Sequence, residues 1–242
     1  MTTTINREEI QKFSDLADEW WDVNGKFKPL HMFNPIRIEY ITEKIKQEFN
    51  LINRNNNFLK DLKILDIGCG GGLISEPLAR LGGEVTGIDA SEKNIKVAKL
   101  HSKKNNLNIN YLNKSPEQLN NSEKFDIVLN LEVVEHVENV DLYIKSCSNL
   151  LKKNGIMFTA TLNKTIISYI KAIIGAEYIL RWLPIGTHDW NKFIKPEDLE
   201  KKLSLANFRT VDIKGLEFNP IFNKWRKSEN LSVNYIICSK KN

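Results

Sequence analysis

The residues whose types and spacing carry the most chemistry are Asp66-Ile67-Gly68-Cys69-Gly70-Gly71-Gly72 and Asp89. Glycines permit positive φ and let a backbone approach a ligand with no Cβ in the way. Asp89 stands 21 residues beyond Gly68, where an acidic side chain at the end of the next strand can take both hydroxyls of an adenosine ribose. Together they describe a cradle for a nucleoside-bearing cofactor, and two details narrow it. A dinucleotide fingerprint wants a glycine three residues after Gly70, where this chain has Leu73. Asp66 would also repel a pyrophosphate, whereas the amino group or sulfonium of S-adenosylmethionine (SAM) would attract it. The expected cofactor is SAM, held by Asp66, Gly68, Gly70 and Asp89, in preference to a nicotinamide or flavin cofactor or a turn without a ligand.

A second cluster follows at Asn130-Leu131-Glu132-Val133-Val134-Glu135-His136-Val137. Leu131 is placed to lie against the adenine side of such a cofactor. Glu132, Glu135 and His136 bring two carboxylates and an imidazole within five residues, and three readings stay open. The cluster could hold a hard cation such as Mg²⁺, or Zn²⁺. It could offer His136, with Glu135, as a catalytic base, since imidazole titrates near neutrality. Or Glu135-His136 only caps a helix and packs a loop. His188 is a further candidate base, in a loop expected to cover the substrate. The Asn-Pro-Pro-Tyr type of motif that holds a flipped base is absent from this place: Asn34-Pro35 and Asn219-Pro220 lie elsewhere and lack the second proline. With no basic stripe either, the expected acceptor is a small molecule and not a nucleic acid.

These residues need a sheet to position them. After the polar break Asn53-Arg54-Asn55-Asn56-Asn57, β runs at 63–67, 84–88, 109–112, 125–129 and 156–162 alternate with helical segments at 73–81, 91–104 and 141–151. Such alternation implies right-handed crossovers and a parallel sheet covered on both faces. Two later runs, 208–214 and 231–239, extend the sheet to seven strands with an antiparallel hairpin. The expected fold is α/β, Rossmann-like and doubly wound, with the glycine loop at its first βα turn. Residues 1–57 form an N-terminal helical arm in which Phe13, Leu16, Trp20 and Trp21 recur at helical spacing as packing surface. Residues 58–242 form the cofactor-binding domain, with a lid or membrane-contact insertion near 163–195.

The 242 residues, 41% hydrophobic and 27% charged, are enough to bury one large core. The net charge of +5 comes from scattered lysines, which read as solvated faces with a weak attraction for an anionic surface or acidic partner. Cys69, Cys147 and Cys238 lack metal-type spacing and fit a reducing cytosol. The opening residues carry no apolar signal core, and the most apolar segment, 166–183, contains Lys171, Glu177 and Arg181, which argue against a transmembrane helix. A cytoplasmic location is expected.

Four segments then carry a specific likeness: Phe13-Ser14-Asp15-Leu16-Ala17-Asp18-Glu19-Trp20-Trp21, Asn34-Pro35-Ile36-Arg37-Ile38-Glu39-Tyr40-Ile41, the glycine loop from Leu65 to Gly72, and Gly175-Ala176-Glu177-Tyr178-Ile179-Leu180-Arg181. Gly186-Thr187-His188-Asp189-Trp190 and Lys192-Phe193-Ile194-Lys195-Pro196 extend it over nearly the full length. In these segments the chain resembles the ubiquinone biosynthesis O-methyltransferase family. The resemblance implies a class I SAM-dependent methyltransferase that methylates polyprenylated catechol-type intermediates, 3-demethylubiquinol and 2-polyprenyl-6-hydroxyphenol. It implies cofactor contacts on Arg37, Gly68, Asp89 and Leu131, a position where methionine is common and leucine keeps an apolar contact. Arg37 would meet the cofactor's carboxylate through a charge-assisted bond. Metal binding would fall on Glu132, Glu135 and His136. The implied partners are a lipid-soluble polyprenyl phenol or quinol, a quinone-biosynthesis complex, and the anionic inner face of a membrane, touched transiently through 166–183 unless that segment is a buried lid. A methylase of another phenol or carboxylate, and an inactive SAM-binding scaffold, are the competing readings.

Overall fold

The computed structural model describes residues 3–52, 56–179, 186–187, 189–219, 222 and 224–242. His188, Arg181 and the end of the 166–183 segment lie outside the described residues. The centre is five parallel strands: β1 (Lys63–Ile67), β2 (Glu84–Asp89), β3 (Asn110–Asn113), β4 (Phe125–Leu131) and β5 (Leu151–Leu162). Three antiparallel strands complete the sheet: β6 (Phe208–Asn219), β7 (Lys224–Ser228) and β8 (Asn234–Lys241). The spatial order is β3-β2-β1-β4-β5-β8-β6-β7. The chain winds outward from β1 to β3 and then returns to β4, so the order reverses between β1 and β4 and opens a crevice at their carboxyl ends.

Side chains alternate between two apolar layers with the period of two that a strand imposes. Ile64, Ile127, Leu129, Ile156, Phe158 and Ile236 face one layer. Leu65, Val128, Met157 and Ile237 face the other. The helices α1 (Arg7–Asp15), α2 (Lys28–Glu48), α3 (Ser75–Arg80), α4 (Glu92–Lys104), α5 (Val140–Leu150) and α7 (Pro196–Leu205) surround the sheet, with α6 (Ile166–Ser168) running on as a π-helix, Tyr169–Ile179. From the arm, α2 buries Tyr40, Ile41 and Ile45 in the same layer as β1, β4 and β5. Helices α5 and α7 cover the opposite layer with Tyr143, Ile144, Leu199 and Leu203.

The doubly wound α/β class is the expected one, with eight strands among the described residues where seven were expected. The added strand is β7, whose Lys224-Trp225-Arg226-Lys227-Ser228 has only one apolar side chain and so no sequence signature of a strand. It exists because β6 runs on past residue 214 and folds back as a hairpin, pairing Gly215 with Ser228 and Phe218 with Trp225. Helix α7 was also missed, although Pro196 at its start, Glu197 and Asp198 in its first turn and Lys202 in its last form a legible signal.

Candidate active site

The loop after β1 is tied to the end of β2: the N–H groups of Gly68 and Cys69 both donate to the Ile88 carbonyl, at 2.8 and 3.0 Å. Gly68 sits at φ 68°, and Val133 occupies the space that a Cβ there would need. The same loop is where the arm lands. A Cβ on Gly71 would come within 2.5 Å of the Trp20 side chain, and Trp21 Nε1 donates to the Gly71 carbonyl at 2.9 Å. Trp20 stacks on Phe27 with ring centroids 3.8 Å apart. The glycines therefore make room for Val133 at Gly68 and for Trp20 at Gly70 and Gly71. The helical spacing of Phe13, Leu16, Trp20 and Trp21 indicates a packing surface, and the family likeness marks the segment, but neither says that the tryptophans pack on the glycine loop.

Asp89, half-buried at the end of β2, is held from three directions. Its Oδ1 accepts from the Ser91 N–H at 2.7 Å and Asn94 Nδ2 at 3.3 Å, and its Oδ2 accepts from the Gly70 N–H at 3.0 Å. Asn94 in turn accepts from Trp20 Nε1 at 2.9 Å, so the arm steadies this carboxylate through one side chain. Burial pushes the Asp89 pKa up, against the three donors.

Asp66, at the end of β1, is buried and accepts from Ser75 Oγ at 2.6 Å. Burial raises its pKa to about 6, with the Ser75 hydrogen bond and the Arg37 charge opposing. Asp66 thus ionises fully only above about pH 6, and a cationic ligand that needs its charge binds more weakly below that. Calorimetry with S-adenosylhomocysteine should show affinity falling about tenfold from pH 7.5 to pH 5. Asp66→Asn should flatten the profile, and a flat wild-type profile would remove Asp66 from the ligand contacts.

Arg37 is buried on α2, between Asn34, which accepts from its Nε at 3.2 Å, and Glu132, whose Oε1 lies 3.3 Å from Nη1. Glu132 is held at φ 55°, a left-handed conformation that costs a non-glycine residue about 1–2 kcal/mol. Leu131, the last residue of β4, lines the same cavity as these groups.

His136 sits in a short 3₁₀ turn, Val134–His136, after β4. Its Nδ1 lies 3.1 Å from Glu9 Oε2 on α1, and Phe13 meets the ring edge-on with centroids 5.3 Å apart. Lys192 Nζ donates to the other Glu9 oxygen at 3.0 Å. The His136 hydrogen bond, helped by Lys192 and opposed by burial, brings the Glu9 carboxyl down to about 2. Glu9 carried no sequence signal, because it meets His136 across 127 positions of chain, and Lys192 was marked only by the family likeness.

Glu132, Glu135 and His136 are not gathered as a ligand set. Glu132 is turned to Arg37, His136 to Glu9, and Glu135 is buried at the cavity wall beside Glu132, where neither carboxyl oxygen has a hydrogen-bond partner. Burial, with the Glu132 charge beside it, pushes the Glu135 pKa well up. Among the described residues no group of three His, Cys, Asp or Glu side chains could hold a metal ion. The spacing put the three residues close in sequence, but only Glu132 and Glu135 stay side by side, while His136 is drawn off to Glu9. His188 lies outside the described residues.

Asp66, Gly68, Asp89, Arg37, Glu132 and His136 all line one cavity of about 1170 Å³, more than the 300–1,000 Å³ usual for one ligand. The carboxylates at the ends of β1 and β2 thus share one cavity with an imidazole that has a fixed carboxylate partner.

Comparison with known proteins adds the following. Residues 65–159 match the family described as a methyltransferase domain. Over 239 residues the chain is 58% identical to the ubiquinone biosynthesis O-methyltransferase of Pelagibacter ubique (strain HTCC1062), covering 99% of each chain. Over 240 residues it is 51% identical to the protein of the same name from Bartonella tribocorum (strain CIP 105476 / IBS 506), covering 99% of this chain and 97% of that one. Among solved structures it is similar in fold to magnesium protoporphyrin IX methyltransferase of Synechocystis PCC 6803 with bound SAM, with a TM-score of 0.66, 18% identity and full coverage of both chains.

Proposed function

The chain belongs to the ubiquinone biosynthesis O-methyltransferase family, and from that premise we propose that it transfers the methyl group of SAM to a catechol-type hydroxyl of 3-demethylubiquinol and 2-polyprenyl-6-hydroxyphenol. The observation that carries this reading is one cavity that holds the Asp66–Asp89 cradle together with His136 and its Glu9 partner. SAM supplies a methyl carbon on a sulfonium, which leaves with its bonding electron pair on sulfur as the phenolic oxygen attacks in line. Asp89 would take the ribose hydroxyls, Asp66 the amino end, and Arg37 the carboxylate of the ligand, in exchange for Glu132. A phenol has a pKa near 10 and is a poor nucleophile until it loses its proton; His136 would take that proton.

A divalent cation, Mg²⁺ or Zn²⁺, is a second reading, favoured by the buried and unpartnered Glu135 carboxyl beside Glu132. Glu132 and Glu135 would hold it, and His136 could join only by leaving Glu9. The ion would act as a Lewis acid on the phenolic oxygen.

No helix of the described residues is long and apolar enough to cross a membrane. The prenyl tail keeps such a substrate in a bilayer, so we place the enzyme at the inner membrane face as a peripheral visitor. Ile166, Ile167, Ile170 and Tyr178 support that contact, standing exposed on α6 and its π-helical continuation while Glu177 is turned inward. Large exposed apolar groups of this kind mark interaction surfaces.

One assay tests these readings: SAM turnover on a short-chain demethylubiquinol analogue, with and without EDTA, and with the long-chain substrate in anionic vesicles. Methyl transfer is expected, faster on vesicles that contain anionic lipid than on neutral ones. A protein that binds S-adenosylhomocysteine but methylates no such phenol would overturn the acceptor. Turnover unaffected by EDTA would remove the cation.

A further inference from the structure

The hairpin of β6 and β7 is an addition to the expected sheet, and its inner face joins the cavity. Phe218 and Trp225 pair directly across it with ring centroids 5.6 Å apart. Trp225 lies against Phe33 of α2 with ring centroids 4.2 Å apart, and the Arg37 guanidinium lies over the same Phe33 ring, 4.4 Å from its centroid. Leu162, at the end of β5, and Leu216 line the cavity along the same run. An apolar wall therefore leads from Arg37, at the cofactor end, to the outer strand of the sheet.

The wall is fixed in place. Lys227 of β7 reaches Glu39 at 2.8 Å and Glu43 at 2.7 Å, both on α2, which locks the hairpin to the helix. Trp225 is only partly covered although it is flanked by Lys224 and Arg226 on an edge strand. Edge strands usually carry charge to stay soluble, so a half-open tryptophan facing a cavity there points to an occupant. The ring of the acceptor must reach the cofactor, and an apolar surface continuous with that point suits the chain attached to the ring.

We infer that the wall formed by Phe33, Phe218 and Trp225 between α2 and the β6–β7 hairpin is a subsite for the first isoprene units of the substrate's tail. This rests on the reading of the acceptor as a prenylated phenol. The subsite selects a catechol that carries a branched hydrocarbon chain over the bare ring, and it takes the near end of the tail out of the bilayer before methyl transfer.

The test is calorimetric affinity, with S-adenosylhomocysteine bound, for catechols bearing zero, one or two isoprene units. In the wild type, affinity should rise at least about tenfold from none to two, since even one methylene in an apolar pocket can be worth that much. Trp225→Ala should collapse this ratio, while Trp225→Phe keeps most of it. Phe218→Ser serves as an independent probe should Trp225→Ala fail to fold. A wild-type affinity indifferent to the tail, or a ratio unchanged in the folded Trp225→Ala or Phe218→Ser protein, would overturn the subsite. Binding is read without turnover, so absence of methyl transfer to these phenols would count against the proposed reaction and leave the subsite's own result standing.

Discussion

Asp89→Ala should lower the affinity for S-adenosylhomocysteine by roughly 10²–10⁴-fold, because two ribose hydroxyls lose bonds to a carboxylate worth about 1.5–3 kcal/mol each. Asp89 is suited to this because it arrives already oriented. Ser91, Gly70 and Asn94 hold both oxygens, so little freedom is lost when a ribose binds. The alanine also frees the Gly70 N–H and slackens the loop that the ligand lies on. Asp89→Asn, which keeps the shape and one acceptor, should lose less than alanine. Asn94→Ala, which unlinks Trp20 from the carboxylate, should lose less again. The measurement is calorimetry at neutral pH, and an Asp89→Ala protein that binds as tightly as the wild type would end the SAM assignment.

That this cradle was legible beforehand follows from its local nature. Strand, turn and strand end are set within the 27 residues from Lys63 to Asp89 by glycines, a period of two and an acidic residue, and local rules suffice for it. Arg37 could be placed only by family likeness, since nothing near it in sequence says that it meets Glu132. The Glu132, Glu135 and His136 cluster shows the limit from the other side. Three ligand-type residues within five positions look convergent, but their directions depend on a 3₁₀ turn and a left-handed Glu132, which no composition rule reveals. The β6–β7 hairpin was hidden because its stability comes from pairing with β6 and from Lys227 on α2, not from an apolar alternation of its own. Glu9 was invisible for the same reason: its meaning lies entirely in a long-range partner.

That partner leads to the second large effect. His136→Ala should lower kcat by about 10²–10⁴-fold, the usual worth of a positioned acid or base, with affinity for S-adenosylhomocysteine little changed. Glu9 decides which nitrogen does the work. With its carboxyl at about 2 it is ionised at neutral pH and can only accept, so the proton of a neutral His136 must sit on Nδ1 and the Nε2 lone pair is left for the substrate. Glu9→Gln, whose amide can donate as well as accept, would let the imidazole take either tautomer and would remove the charge that stabilises the imidazolium after proton transfer. Its kcat should fall by about tenfold or more, short of the loss in His136→Ala. Glu9 also ties α1 to Lys192, so folding must be separated from catalysis. Because its pKa is lowered, the stability its contacts contribute is present above about pH 4.5 and fades as the pH falls through about 2. At neutral pH, a Glu9→Gln protein that keeps its ligand affinity and loses kcat places the effect on His136. In the double variant, Glu9→Gln should cost nothing further once His136 is alanine; full additivity of the two losses would show that Glu9 acts independently of the imidazole, and an unimpaired His136→Ala enzyme would pass the proton to another group.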